Sequence, residues 1–501
     1  MTCTLYAAGS NSHGQLGVRD QVDRHEFTRV ELPPELSQSL DVRRLACGAN
    51  HSLLLTARGE LFAAGSNQRG QLGSLQRDAP LSLAFAPVKV EQLVRDARLA
   101  IDPTQYTIHD VAACWETTFV VLRPSESAST RPQSDVLLSF GANDWGERGV
   151  PSARVDEPTR VTFANLVADA GGVRGGADVE QLVRVVDLQA GPRHVCALVE
   201  IEIAHSSGST TLDAQQRPPR RMLLGWGASR QGQLGPSASS SAPPRITTSP
   251  QPILQPSPCR ADDVCQVSVG KDHTAILLQG SANDDHPNEA QVVLYGSNKR
   301  GQLGPAAATT ERVIVTDLRR NLLSAVDLVP PYAAHKSEIR EVRCTWNGSY
   351  LLVKPTTSPS PDNASHRVFS CGLNSHGQLG RPSMTTTSHL AATNPAPANL
   401  APPSLSFPSH TRQLACGSEH VLALLESGQV YGWGWNEHGN LSISDEPSDI
   451  SRAVSSVSSD QLQDVLEPRR VWPTGQVDVR VAGRAVDVWA GNATSWILVA
   501  H

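Results

Sequence analysis

Aromatic residues make up only 5% of this 501-residue chain and methionine occurs three times. Apolar residues make up 39% of the chain beside 38 Gly and 35 Pro, as expected for many short strands and turns. No apolar run approaches the roughly 20 residues needed for a membrane-spanning helix, and MTCTLYAAG at the N-terminus lacks a charged-then-apolar export segment. The chain is accordingly expected to be soluble and cytoplasmic, with the nucleus also open to it. Basic residues do not dominate either: the formal net charge is −6 and no long Lys/Arg run is present. Nucleic acid is thus disfavoured as a direct partner, because phosphate-backbone binding needs concentrated positive charge. The nine cysteines include no CxxC pair. No HExxH, GxSxG or Walker-type loop occurs, so no catalytic residue, metal ligand or cofactor site is assigned.

What the chain has instead is glycine and repetition. LYAAGSNSHGQLG from Leu5 returns at Leu61, Leu137, Leu223, Val293, Val368 and Val430. The leading glycines lie 56 residues apart at the closest (Gly9 to Gly65) and 86 at the widest (Gly141 to Gly227), a spacing suited to small β-sheets. Within the motif an apolar strand runs into a turn whose glycines and Asn tolerate unusual backbone angles.

A second motif, LACGANHSLLL from Leu45, alternates with the first and recurs at Val111, Leu188, Val267, Val342, Leu414 and Val488. Each copy ends in a short apolar run that reads as a buried strand. The chain starts on a first motif and finishes on a second, so joining the ends leaves neither unpaired. The expected fold is all-β, a seven-bladed β-propeller closed by pairing the N-terminal strand with the C-terminal blade. Residues 1–501 then form a single domain. Insertions at 236–258, 355–365 and 383–410, rich in Ser, Thr, Pro and Ala, are expected as flexible surface loops. Pro-flanked runs beginning at Thr28, Ala86, Glu157, Gln251 and Glu467 are expected as outer strands. Glu200 to Met222 reads as a lengthened strand pair with a loose tip.

Repetition also supplies an internal control. Cys47, Cys344 and Cys416 share a register with Ala113, Ala190, Val269 and Ala490, so they read as reduced packing residues. His51, His194, His273 and His420 share another, one per blade, and read as structural hydrogen-bonding groups. Trp226 and Trp433 stand where Phe140 and Tyr295 stand, which also means packing. The sequons at Asn347, Asn363, Asn440 and Asn492 are expected to be unused. Trp435 is different: its counterparts are Ser10, Ser66, Ala142, Ala228, Ser297 and Leu373. Trp115 and Trp346 likewise replace small or polar residues at the turn of the second motif, and Trp145 replaces His, Arg or Gln in that of the first. Surface aromatics of this kind are typical interface anchors. Trp435, Glu437, His438, Asn440, Trp115, Trp346 and Trp145 are therefore the candidate partner-binding residues.

The GxNxxGQLG and CGxxHxxxL pair, spanning the whole chain, resembles the regulator of chromosome condensation family of seven-bladed propellers. That family includes a guanine-nucleotide exchange factor, ubiquitin-ligase modules and scaffolds. The early first repeat and GWGWNEHGNLS from Gly432 are most similar to the fungal alpha-tubulin-suppressor, killer-toxin-insensitivity propeller. The chain departs from it in longer loops and in the Asn436, Leu441 and Ser442 that close the last turn. This resemblance implies a non-catalytic, protein-binding propeller. Its implied partner, in a heterodimer, is a small CSL-type zinc protein serving diphthamide biosynthesis and Elongator-dependent tRNA wobble-uridine modification. The alternatives are a guanine-nucleotide exchange factor for a small GTPase, with Glu200 to Met222 as a wedge, and an enzyme using the central channel.

Overall fold

The computed structural model describes the chain apart from residues 1, 38–39, 74–78, 126–132, 152–156, 164–178, 206–218, 236–243, 254–260, 279–289, 305–315, 318–336, 356–365, 382–404, 444–461 and 476. Strands β1 (Cys3–Gly9) and β2 (Arg24–Arg29) come first. Six four-stranded antiparallel sheets then follow in strict chain order. They comprise β3 (Val42–Cys47) to β6 (Leu81–Val88), β7 (Tyr106–Ala113) to β10 (Thr159–Val161), and β11 (Val179–Ala190) to β14 (Ile246–Pro252). The remaining three are β15 (Val264–Val269) to β18 (Thr316–Asp317), β19 (Ser337–Cys344) to β22 (Leu405–Ser406), and β23 (Thr411–Cys416) to β26 (Val465–Trp472). The seventh sheet is ordered β2-β1-β28-β27, with β27 at Arg484–Ala490 and β28 at Thr494–Ala500.

The first strands of the blades touch one another in sequence: β3 meets β7, then β11, β15, β19, β23 and β27 follow, and β27 returns to β3. These strands line the axis, and the molecule is a closed seven-bladed propeller. The closing blade is sewn by a continuous ladder from Cys3 opposite Ala500 to Gly9 opposite Thr494. Small side chains make this possible, since Leu5, Ala7 and Ala8 are all fully buried there.

Each motif residue has a task in the ring. Gly65 takes φ near 107°, and a Cβ there would lie 2.3 Å from the carbonyl oxygen of Asn50, so only glycine fits. The Asn two residues after the leading glycine folds the turn onto itself: Asn67 Oδ1 accepts the Leu72 amide at 2.9 Å, and Asn436 Oδ1 accepts that of Leu441 at 2.8 Å. The His of the second motif latches one blade to the next. His51 Nε2 lies 3.0 Å from Thr118 Oγ1, whose hydroxyl donates to the Gln71 carbonyl at 2.6 Å. His194 with Thr274, His273 with Ser349 and His420 with Ser495 repeat the latch at 2.9–3.1 Å. Burial holds His51, His273 and His420 at about 4 and His194 at about 3, against an ordinary 6.5. These histidines are therefore neutral at physiological pH.

Trp226 and Trp433 are packing residues, as their register implied. Both are fully buried, and their indole N–H groups donate to the Glu147 carbonyl at 2.6 Å and the Gln378 carbonyl at 2.8 Å in the preceding blade. Outer strands β10 and β26 overlap the runs expected from Glu157 and Glu467, whereas β2, β6 and β14 begin before those expected from Thr28, Ala86 and Gln251, and β14 starts inside the stretch 236–258 expected as an insertion. Likewise β22 lies within 383–410, and 356–365 falls outside the described residues.

Candidate protein-binding face

In every blade the turn after the first strand and the turn after the third strand share one end of the sheet, joined by a backbone hydrogen bond. Ser66 N donates to Asn50 O, Ala142 N to Glu116 O, Ala228 N to Arg193 O, Ser297 N to Asp272 O, Leu373 N to Asn347 O, Trp435 N to Glu419 O and Ser10 N to Ala493 O, at 2.7–2.9 Å. Both motifs therefore build one face of the ring. All seven candidate residues lie in these turns, so the structure brings them to the same face, where they form two patches.

The first patch surrounds Trp435. Its half-buried ring meets His438 edge-on, with centroids 5.3 Å apart at 88°, and His376 of the neighbouring blade lies at 6.4 Å. The indole N–H donates to Glu437 Oε2 at 3.2 Å. Each histidine is held by a carboxylate: His438 Nδ1 lies 2.7 Å from Asp23 Oδ2, and His376 Nδ1 2.8 Å from Asp464 Oδ2. Three blades thus orient one tryptophan. Asn440 differs from the expectation, because it is fully buried and cannot touch a partner. It occupies the register filled by Gln15, Gln71 and Gln378 elsewhere and donates to the Trp435 carbonyl at 2.7 Å. Its part is to hold the tryptophan's turn.

The second patch gathers the other three tryptophans. Trp115 and Trp346, from non-adjacent blades, tilt against each other with centroids 5.5 Å apart. Trp145 is 39% and Trp115 41% exposed, high values for the largest side chain. A cavity of about 290 Å³ opens among Trp115, Trp145, Trp346, Arg193 and Lys271, with Glu116 and Glu147 in its wall. Arg193 lies over the Trp145 ring at 4.4 Å, and Lys271 over that of Trp346 at 5.5 Å. Sequence reasoning did not single out either cation.

The channel mouth beside this patch is lined by Cys47, Cys114, Cys344, Cys416, glycines and alanines from the inner turns. Burial pushes the thiols up, Cys47 to about 11 and Cys344 to about 12, so they carry no thiolate at neutral pH. Deeper in the ring Arg44 pairs with Asp110 at 2.9 Å. Among the described residues no cluster of metal-ligating side chains occurs. On the opposite side of the ring, β11 and β12 (His194–His205) each run 12 residues, and β13 (Arg220–Ala228) accompanies them. The lengthened strands read from Glu200 to Met222 are present, and the tip lies outside the described residues.

Two models described as the regulator of chromosome condensation (RCC1) repeat match residues 4–55 and 365–424, and 42–71 and 412–440. The chain is 26% identical over 449 residues to a secretion-regulating guanine nucleotide exchange factor of Bos taurus, covering 87% of this chain and 75% of that one. It is 22% identical to an RCC1 repeat-containing protein of Schizosaccharomyces pombe over 99% of this chain and 98% of that one. Among solved structures, Prp20p of Saccharomyces cerevisiae superposes with a TM-score of 0.63 at 18% identity, covering 100% of this chain and 92% of that one. Human WBSCR16 superposes with a TM-score of 0.60 at 17% identity, covering 100% and 99%. With seven paired motifs and a closed ring of seven four-stranded blades, the chain is a seven-bladed propeller that carries regulator of chromosome condensation (RCC1) repeats within residues 4–71 and 365–440.

Proposed function

We propose that this propeller is a non-catalytic protein-binding platform acting through its turn face, and that its partner is a small CSL-type zinc protein. Its work is then to hold that protein in one orientation for diphthamide biosynthesis and Elongator-dependent wobble-uridine modification. The observation that carries the platform reading is Trp435: a tryptophan where six sister copies have smaller residues, held half exposed by His376, His438 and Glu437. Rigid, partly exposed aromatics supply contact area at low entropic cost. The choice of partner rests on the resemblance of GWGWNEHGNLS from Gly432 to the fungal alpha-tubulin-suppressor propeller.

Mixing the purified chain with the CSL-type zinc protein of the same cells should give a 1:1 complex on gel filtration. Trp435→Ala should weaken it by about tenfold or more, as for an interface anchor. An unchanged affinity would remove Trp435 from the interface. The second reading, nucleotide exchange on a small GTPase, is favoured by the names of the mammalian relatives and by the lengthened β11 and β12. Accelerated release of labelled GDP from a GTPase recovered with the chain would select it.

A further inference from the structure

The turn face is electrically divided, which the overall charge of −6 conceals. Arg69, Arg193, Arg230, Lys271, Lys299 and Arg300 lie in turns of three blades, β3–β6, β11–β14 and β15–β18, against Glu116, Asp144 and Asp272. The other part of the face carries Asp23, Glu419, Glu437 and Asp464, with Asp20 paired to Arg24. The Trp115, Trp145 and Trp346 cavity opens in the basic part.

Within that cavity the charges do not cancel. Asp144 is taken by Arg69 at 3.0 Å. Glu147 is buried and engaged within its own turn, where its carboxylate accepts the Trp145 amide at 2.7 Å. Glu116 alone remains against Arg193 and Lys271, neither of which makes an ion pair among the described residues. Both cations rest on indole faces. Stacking fixes a guanidinium or ammonium while leaving N–H donors free at its rim, so two oriented donor groups face a hollow with aromatic walls.

We propose that this cavity receives an acidic segment of the protein partner, with a carboxylate between Arg193 and Lys271 and a neighbouring apolar side chain against Trp115 and Trp346. The proposal rests on the platform reading and gives the second patch its ligand chemistry. Carboxylate suits the donor set, because a planar guanidinium can offer two parallel N–H groups. The aromatic walls exclude water and strengthen the pairing. A volume of about 290 Å³ accommodates side chains rather than a folded element.

The test uses the full chain and a fluorescein-labelled peptide of alternating Glu and Leu, followed by anisotropy over a salt series. The same peptide with Gln for Glu, and a single-stranded oligonucleotide of equal charge, serve as competitors. Saturable binding that weakens with salt is expected, with a loss of about tenfold or more in Arg193→Glu and in Lys271→Glu, while the Gln peptide fails to compete. Absence of binding, equal competition by the Gln peptide or by the oligonucleotide, or indifference to both charge reversals would overturn the proposal. Capture of the CSL-type zinc protein separates the two readings. If Arg193→Glu/Lys271→Glu still binds it at wild-type affinity, the cavity proposal fails and the platform stands. If the wild-type chain does not bind it while the peptide result holds, the choice of partner fails and the cavity stands.

Discussion

The four buried histidine latches should make the ring acid-labile in a calculable way. Each His has a folded pKa below its unfolded value of 6.5, at about 4 for three and about 3 for His194. The neutral form is the one the fold accepts, so their contribution is complete above pH 6.5 and is lost as pH falls from 6.5 toward 4. Linkage puts the loss at about 2 kcal/mol per histidine at pH 5, or about 8 kcal/mol for the set, against a typical total of about 5–15 kcal/mol. Asp110, Glu147 and Asp487, which burial raises, oppose this trend. The cleaner readout is therefore a difference between variants. His273→Thr borrows the residue that two sister blades carry as Thr117 and Thr494. At pH 7.5 it should cost about 1–2 kcal/mol for the hydrogen bond to Ser349, yet its stability should fall by about 2 kcal/mol less than wild type between pH 7.5 and pH 5. Urea unfolding at both pH values measures this. Parallel pH dependence in the two proteins would show that His273 does not titrate on unfolding and would refute the reasoning.

Glu147→Gln restores the side chain that most sister turns carry and keeps an acceptor for the Trp145 amide. Because burial raises the Glu147 pKa, its charged form penalises the fold above the ordinary carboxyl range. The variant should gain about 0.5–2 kcal/mol at neutral pH and lose the advantage below about pH 4.5, which melting curves at the two pH values would show. Removing residues 1–9 should expose the edge of β28 and give an aggregation-prone chain. A truncated protein that melts at the wild-type temperature and stays monomeric in light scattering would contradict the strand-sewn ring.

The propeller was legible because burial on both sides of the second and third strands forces the same residues into the same places seven times. Outer strands escaped this constraint: β14 pairs on one side only and is largely exposed, so its Pro-flanked end at Gln251 was legible and its start at Ile246 was not. At the candidate site, tryptophans stood out against their registers. Arg193 and Lys271 did not, since their turn positions vary from copy to copy: Asn50, Glu116, Asp272, Asn347, Glu419 and Ala493 stand in the register of Arg193, and Ala49, Pro192, Ser418 and Asn492 in that of Lys271. Their meaning comes from blades that pack side by side, Arg193 reaching Trp145 of the preceding blade. Asn440 was grouped with the partner-binding residues because it shares a turn with Trp435, although the register it shares with Gln15 and Gln71 marks it as interior.

The clasp between β1 and β28 has a consequence in time. Gly9 and Thr494 pair across nearly the whole length of the chain, so the strand made first on the ribosome waits longest for its neighbour. At roughly 5–20 residues per second the delay is roughly half a minute to a minute and a half. Throughout it Leu5 and Ala7 lack the cover that β28 later provides. A chain broken off before β28 therefore leaves β1 without its partner and the ring open.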